Sequence, residues 1–249
     1  MPEPSTTRFA YDDTGLDAAR GRHQFVVNRL GLMIAAGELA EDSQILPDEI
    51  CERFGVSRPV VREALRVLEA KGMVSPKPKT GTRVLPIHQW NLLDQDVISW
   101  RIMGPHRTRQ LSELTDLRVA VEIYAARKCA IDVTAEQLAE MHKWCDAMAA
   151  AAHAGNLEDF TEADIAFHTA LLDASGNTVF RQFATPFAVF LHAKNELHTL
   201  PERVDETVLD SHRGVVEAIA AHDADLAESL CRKMIEASRA ELLRNLPQD

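Results

Sequence analysis

The stretch Ser57-Arg58-Pro59-Val60-Val61-Arg62-Glu63-Ala64-Leu65-Arg66-Val67-Leu68-Glu69-Ala70-Lys71-Gly72-Met73-Val74 carries the reading of the fold. Ser57 is a natural N-cap, because a serine hydroxyl can accept from an orphan backbone N–H. Pro59 is tolerated in a first turn, where its missing N–H has no helical partner, and Gly72 suits the residue that ends a helix. Between these signals Val60, Val61, Ala64, Leu65, Val67 and Leu68 form an apolar stripe, leaving Arg58, Arg62, Glu63, Arg66 and Glu69 for the opposite face. The pattern predicts a helix over 58–71.

Working outward, Leu46-Pro47-Asp48 opens a second helix that runs to Phe54, where Gly55 breaks it. Val26, Leu30, Met33 and Ile34 recur at helical spacing over 22–36, before Gly37. On the other side, Met73-Val74-Ser75 and Arg83-Val84-Leu85 read as short strands around the basic, turn-rich loop Pro76-Lys77-Pro78-Lys79-Thr80-Gly81. Two helices across a glycine turn, followed by a hairpin, is the order of a winged helix-turn-helix. The expected fold class is therefore mainly α, with an N-terminal winged helix-turn-helix and an all-α helical-bundle effector domain. Residues 1–20 read as a flexible tail, 21–86 as the winged helix-turn-helix, 87–106 as a linker helix and 107–249 as the helical domain. Helices are expected near 107–130, 134–153, 157–174, 178–197, 203–221 and 223–246, with no strand after residue 90.

The formal net charge of −11 excludes a chain that coats nucleic acid over its whole surface, but not a local basic patch. From Arg58 to Arg83 there are seven lysines or arginines against only Glu63 and Glu69. Arginine reads guanine well because its fork meets O6 and N7 together, and Arg58 and Arg62 lie one turn apart on a single face. Arg66 continues that face toward the backbone. Lys77, Lys79 and Arg83 on the wing can reach phosphate or the minor groove, where Gly81 permits close approach. The expected DNA-contacting set is thus Ser57, Arg58, Arg62, Arg66, Lys77, Lys79, Gly81 and Arg83. A solvated basic face is the plain alternative, weighed against the cap, turn and wing occurring in the right order.

No apolar run approaches the ~18 residues of a membrane span, and the N-terminus lacks a basic-then-apolar leader. Cys51, Cys129, Cys145 and Cys231 form no Cys-x-x-Cys pair, as expected of a reduced, cytoplasmic protein.

In the helical half, polar residues stand on stripes that are otherwise apolar. The predicted 157–174 helix turns Phe160, Ala163, Asp164, Phe167, His168 and Leu171 inward, with Asp164 and His168 at i and i+4. His212 shares the stripe of Val215, Val216 and Ile219, and Arg118 that of Leu114, Val121 and Ala125. A buried carboxylate needs a cation, a metal or strong donors. Asp164, His168 and His212 make a reasonable divalent-metal site with open positions, zinc first, with nickel or manganese as alternatives. Arg118 would hold a ligand carboxylate bidentately. A core histidine or a structural Asp–Arg pair is the bland reading of each residue taken singly. The remaining histidines read as surface residues, and Trp90, Trp100 and Trp144 as packing.

The segments Leu46-Pro47-Asp48-Glu49, Phe54-Gly55-Val56-Ser57-Arg58-Pro59-Val60-Val61-Arg62-Glu63-Ala64-Leu65-Arg66, Gly72-Met73-Val74 and Gly81-Thr82-Arg83-Val84 resemble the signature of the GntR family of transcription regulators. The resemblance implies that Arg58 and Arg62 contact operator bases and that Gly81 enters the minor groove. Family members often carry an arginine two places after the position of Asp48; Ile50 stands there, so one expected DNA contact is missing. Residues 107–246 are similar to the FCD domain of the FadR branch through Leu117–Glu122, Ala163–His168 and Ser211-His212-Arg213. The resemblance implies a metal on Asp164, His168 and His212, with the last usual histidine replaced by Met234 beside the effector. His88 to Trp100 resembles the linker of regulators of galactonate and related sugar-acid operons.

The leading expectation is therefore a homodimeric repressor of double-stranded operator DNA, modulated by a small carboxylate effector such as a sugar acid. The competing expectations are a metal-dependent hydrolase or lyase built on Asp164, His168 and His212, and a DNA-binding protein whose helical domain only dimerises.

Overall fold

A computed structural model describes residues 18–77, 81–197 and 204–245. The chain divides into two compact units, 1–107 and 108–249.

The first unit opens with α1 (Ala18–Ala35), which continues three residues into the stretch expected to be a tail. Strand β1 (Gln44–Ile45), α2 (Pro47–Phe54), α3 (Arg58–Ala70), β2 (Val74–Lys77) and β3 (Gly81–Val84) follow. Helix α2 ends on Gly55 in a left-handed conformation whose N–H reaches back to the Cys51 carbonyl. Ser57 has the extended backbone of an N-cap, but its hydroxyl makes no capping bond, so the apolar stripe and the early Pro59 start α3 without it. Val61, Ala64, Leu65 and Leu68 of α3 are buried with Val26, Leu30 and Ile34 of α1. The three strands pair antiparallel in the order β1-β3-β2, with Gln44 opposite Arg83 and Val74 opposite Val84. Strand β1 was not expected, since two residues carry no periodicity; the sheet recruits them by pairing alone.

The segment expected to be a linker helix over 87–106 is helical only in part. A single 3₁₀ turn spans Ile87–Gln89, and α4 covers Gln95–Met103. Asp94 starts α4 by accepting from the N–H groups of Asp96 and Val97. Helix α4 packs on α1 within the first unit, and a Cβ on Gly31 would lie 2.5 Å from the Trp100 ring. The missing side chain is what lets the indole lie against α1.

The second unit holds α5 (Arg107–Asp132, whose first residue belongs to the other unit), α6 (Ala135–Ala154), α7 (Leu157–Ala174), α8 (Ala184–Glu196), α9 (Glu206–Ala220) and α10 (Ala224–Asn245). Among the described residues it contains no strand. Helix α6 packs on α7 and α9, α7 on α8, and α9 on α10. Their common core includes Ile123, Met141, Met148, Phe167, Val216 and Ile235. The helix expected over 178–197 is shorter, because a 3₁₀ turn at Phe180–Phe183 precedes α8 and the Asn177 carbonyl takes the Phe180 N–H.

Gly72 closes α3 at φ +72°, and a Cβ there would meet the Gln89 carbonyl oxygen at 2.3 Å. Gly37 has φ +78° with open space around it. Gly37→Ala carries only the left-handed penalty of ~1–2 kcal/mol, whereas Gly72→Ala adds a backbone clash. Urea unfolding followed by circular dichroism is expected to show the larger loss for Gly72→Ala; equal losses would mean that the Gln89 contact yields freely.

Candidate functional site

Two sets of functional side chains stand in the two units. In the first unit, Arg58, Arg62 and Arg66 are exposed on one face of α3. With Asp48 of α2 and Pro76 and Thr82 of the sheet they border a concavity of about 410 Å³. Arg58 is held by Asp48, Nε to Oδ1 at 2.7 Å and Nη2 to Oδ2 at 2.8 Å. Arg66 pairs with Glu63 at 2.8 Å. Gly81 takes φ +84° at the start of β3, while Lys77 is exposed at the end of β2. Arg83 is less available than the sequence implied: it donates to the Asp42 carbonyl at 3.0 Å and so helps tie the wing to the loop before β1. Lys79 lies outside the described residues. Ile50 is 5% exposed within the core of this unit. Its side chain faces inward and offers nothing to DNA. Asp48 lies on the exposed side of the same helix.

In the second unit, α7 presents Asp164 and His168 one turn apart, and α9 brings His212 to them. One ligand-capable atom from each lies within 4.8 Å of the others. Nε2 of His212 is 3.1 Å from Asp164 Oδ1, and its Nδ1 donates to the Val208 carbonyl at 2.7 Å. Nε2 of His168 is 3.3 Å from the same oxygen, and its Nδ1 meets Glu122 Oε2 at 2.5 Å. The two imidazoles are thus oriented alike, with outer nitrogens fixed by oxygen acceptors and inner nitrogens turned toward Asp164. Histidines that bind metals are commonly held in this way, the outer ring nitrogen donating to an oxygen while the inner one is left for the ion. Phe167 packs edge-on against both rings, at 5.3 and 4.9 Å between centroids, and limits their rotation. The donor set of two nitrogens and one carboxylate suits zinc or a related divalent ion. One neighbour competes: Nη2 of Arg118 lies 2.8 Å from His168 Nε2, the nitrogen an ion would need.

Glu122 is the residue that sequence reasoning missed. It is fully buried on α5, one turn from Arg118, and accepts from Arg118 Nε at 2.6 Å. The i,i+4 spacing of a charged pair on an apolar stripe was the available signal. The guanidinium also stands over the Phe190 ring at 5.3 Å. Arg118 therefore does not offer a ligand both edges of its fork, because the Nε edge is already committed to Glu122. Burial by itself pushes the Glu122 carboxyl up, but the charges of Arg118 and His168 outweigh it and hold the carboxyl at about 2. Burial acts the same way on Asp164, which His168 and then His212 bring well below the usual carboxylate range. For His168 burial works against the charged form, yet Glu122 and Asp164 raise it overall despite Arg118.

Arg118, Asp164, His168 and His212 line a cavity of about 490 Å³ with Met234 and Ser238 of α10. Lys194 of α8, also missed, lines it too and is only 4% exposed. It donates to Ser238 Oγ at 2.8 Å and lies 3.6 Å from Glu241. Burial lowers its pKa although Asp164 and Glu241 oppose that. No sequence signal marked it, since α8 is apolar on several sides.

Glu122→Gln would leave Arg118 buried without its counter-ion, a loss of ~3–5 kcal/mol for a broken buried pair. Because the Glu122 carboxyl is depressed from 4.5 to about 2, its contribution is present above 4.5 and disappears as pH falls toward about 2. Urea unfolding at pH 7 is expected to show the variant clearly weaker, with the difference narrowing on acidification. A gap that does not depend on pH would assign the loss to packing.

Comparison with known proteins finds a match for each half of the chain. The bacterial regulatory proteins of the gntR family match residues 22–84, and the FCD domain matches residues 113–237. YieP of Escherichia coli strain K12, an uncharacterised HTH-type transcriptional regulator, is 34% identical over 225 residues, 89% of this chain and 96% of that protein. The galactonate operon transcriptional repressor of the same strain is 32% identical over 219 residues, 87% of this chain and 95% of that protein. A solved structure of Lar, which controls expression of the Listeria monocytogenes agr system, shares the fold with a TM-score of 0.58 and 20% identity, over 89% of this chain and 96% of that one. These relatives are regulators, and the metallo-hydrolase or lyase expectation is set aside. No helix among the described residues is long and apolar enough to cross a membrane. With both halves matched in order, the chain belongs to the gntR family of bacterial regulatory proteins, in the FadR-type branch whose helical half is an FCD domain.

Proposed function

We propose that this regulator is a homodimeric repressor, cytoplasmic, whose hold on operator DNA is modulated by a small carboxylate effector, a sugar acid being the leading class. The observation that carries the reading is the cavity of about 490 Å³ lined by Arg118, Lys194, Asp164, His168 and His212. Its volume falls within the ~300–1,000 Å³ usual for small-molecule sites. Two buried cations favour an anion, while Asp164, Ser211, Ser238 and Glu241 offer partners for several hydroxyls. The 32% identical relative named as a galactonate operon repressor supports the same class.

Asp164, His168 and His212 would hold a divalent ion, zinc before nickel or manganese. When bound, such an ion would supply an open coordination position for an effector oxygen. The chain's own residues do the rest. Glu122 keeps His168 oriented, the Val208 carbonyl does so for His212, and Lys194 stands ready for the effector's charge. Met234, at the place of a further family histidine, lines the cavity and offers a thioether rather than an imidazole. On DNA, Ser57, Arg58, Arg62 and Arg66 would face the major groove, and Lys77, Lys79, Gly81 and Arg83 the backbone and minor groove. A dimer would meet two half-sites about one helical turn apart, ~34–36 Å, so a small change in spacing weakens binding.

Gel-shift titration on the DNA upstream of the protein's own gene, with aldonates, uronates and keto-deoxy sugar acids, tests the reading. One of them is expected to release the complex. By reciprocity it then binds more weakly to the DNA-bound protein. Specific binding untouched by the whole panel would remove the sugar-acid class.

Metal content by elemental analysis is expected to fall at least tenfold in His212→Ala, in line with the loss of a ligand to the ion. An equal content in variant and parent would place the metal elsewhere.

A further inference from the structure

The sequence assigned Arg58 to a guanine and gave Asp48 no part. We propose that Asp48 is a positioning residue for operator reading: it clamps Arg58 by one edge, so that the other edge is presented to a base and the base preference is sharpened. The inference rests on Arg58 being a base-reading residue.

The geometry carries it. Asp48 stands in the first turn of α2 and Arg58 is the first residue of α3, so two helix starts bring the pair together across ten positions of chain. The two contacts, Nε to Oδ1 at 2.7 Å and Nη2 to Oδ2 at 2.8 Å, are a parallel bidentate pair. They occupy the side of the guanidinium that carries Nε. Among the described residues no carboxylate is paired with the end that carries Nη1 and the second Nη2 proton, and this end has the spacing that matches guanine O6 and N7. Arg58 borders the same concavity as Arg62 and Arg66, so its exposed end lies on the face that the helix-turn-helix order turns toward DNA.

A surface ion pair that merely neutralises charge is the bland explanation, and in the free protein it holds: both side chains are about two-thirds exposed, at 69% and 68%. On DNA the balance changes. Closing the major groove over the pair removes water, which strengthens the Asp48–Arg58 attraction and makes a misplaced arginine more costly. A carboxylate on a phosphate-binding face also repels the duplex. Asp48 therefore lowers affinity for every sequence while raising the difference between the right base and the wrong ones. Specificity is a difference of affinities, and repulsion of this kind increases it. A neutral residue at 48 would reverse both effects.

The test uses the full-length protein and measures operator dissociation constants with each base placed in turn at every half-site position. The site itself is first obtained by selection from random duplex DNA. Parent, Arg58→Ala, Asp48→Ala and Asp48→Asn are compared at fixed salt, with circular dichroism to confirm that the exposed substitutions leave the fold intact. Arg58→Ala is expected to flatten the preference for guanine at one position. Asp48→Ala is expected to reduce the preference at that same position about fivefold, the low end of what a bidentate arginine–guanine pair supplies, while binding to non-operator DNA tightens. Asp48→Asn, which can accept one of the two bonds, falls between. If Arg58→Ala flattens one position and Asp48→Ala leaves it intact, only strengthening binding everywhere, Asp48 is a charge and nothing more. That result overturns the proposal while Arg58 stays a reader. If Arg58→Ala flattens no position, base reading by Arg58 fails and the proposal falls with it.

Discussion

Inside the helical unit Glu122 has no contact with water, and a bare carboxylate there would cost several kcal/mol. It is kept charged because Arg118 donates to both of its oxygens, more closely to one, and His168 meets the other. That requirement propagates. Meeting it places the Arg118 fork over Phe190, sets the ring plane of His168, and thereby turns the inner nitrogen of His168 toward Asp164 and His212. The cavity is thus shaped from behind, by a charge that does not line it. Replacing such a group with an apolar residue would often leave a unit equally stable or more so, which suggests that the cost is kept for orientation rather than for stability.

The consequence for Arg118 is a division of labour. A guanidinium aimed into a cavity looks like a carboxylate clamp, yet its Nε and Nη2 face Glu122 and His168. Lys194, the other buried cation of the cavity, donates to the Ser238 hydroxyl, with Glu241 farther off. An ammonium on a flexible stem can follow a ligand as it settles, which a planar fork anchored on one edge does less well. In the proposed effector site the two cations would have different work, one holding the site in shape and the other meeting what enters.

A similar pairing governs the DNA-facing unit, at lower energy. The core of Val61, Leu65 and Leu68 against α1 fixes where α3 lies, and the helix starts of α2 and α3 fix where Asp48 and Arg58 meet. Trp100 against Gly31 closes the far side of the same unit, so the stretch after the wing belongs to the packing of the DNA-binding half rather than to a free connection. In both units a carboxylate takes one edge of an arginine. In one it is fully buried, in the other exposed to solvent.

Hydrophobic periodicity and glycine stops were enough to place α2, α3 and the helices of the second unit, because each is long enough to repeat its apolar stripe. The same stripes exposed Arg118, Asp164, His168 and His212 as polar intrusions, and i,i+4 spacing put two of them on one face. Short elements escaped: β1 exists only through its pairing with β3, and α4 is confined to nine residues by the Asp94 cap and the Trp100 contact. Partnerships across the chain escaped as well. Glu122 with His168, Lys194 with Ser238 and Asp48 with Arg58 join residues that no local period connects. Sequence by itself determined which side chains were out of place on their helices, since that depends on period. Only the tertiary structure decided which partner answers each of them, because electrostatic pairing depends on distance in space and α5, α7, α8 and α9 come within reach of one another only when the core closes.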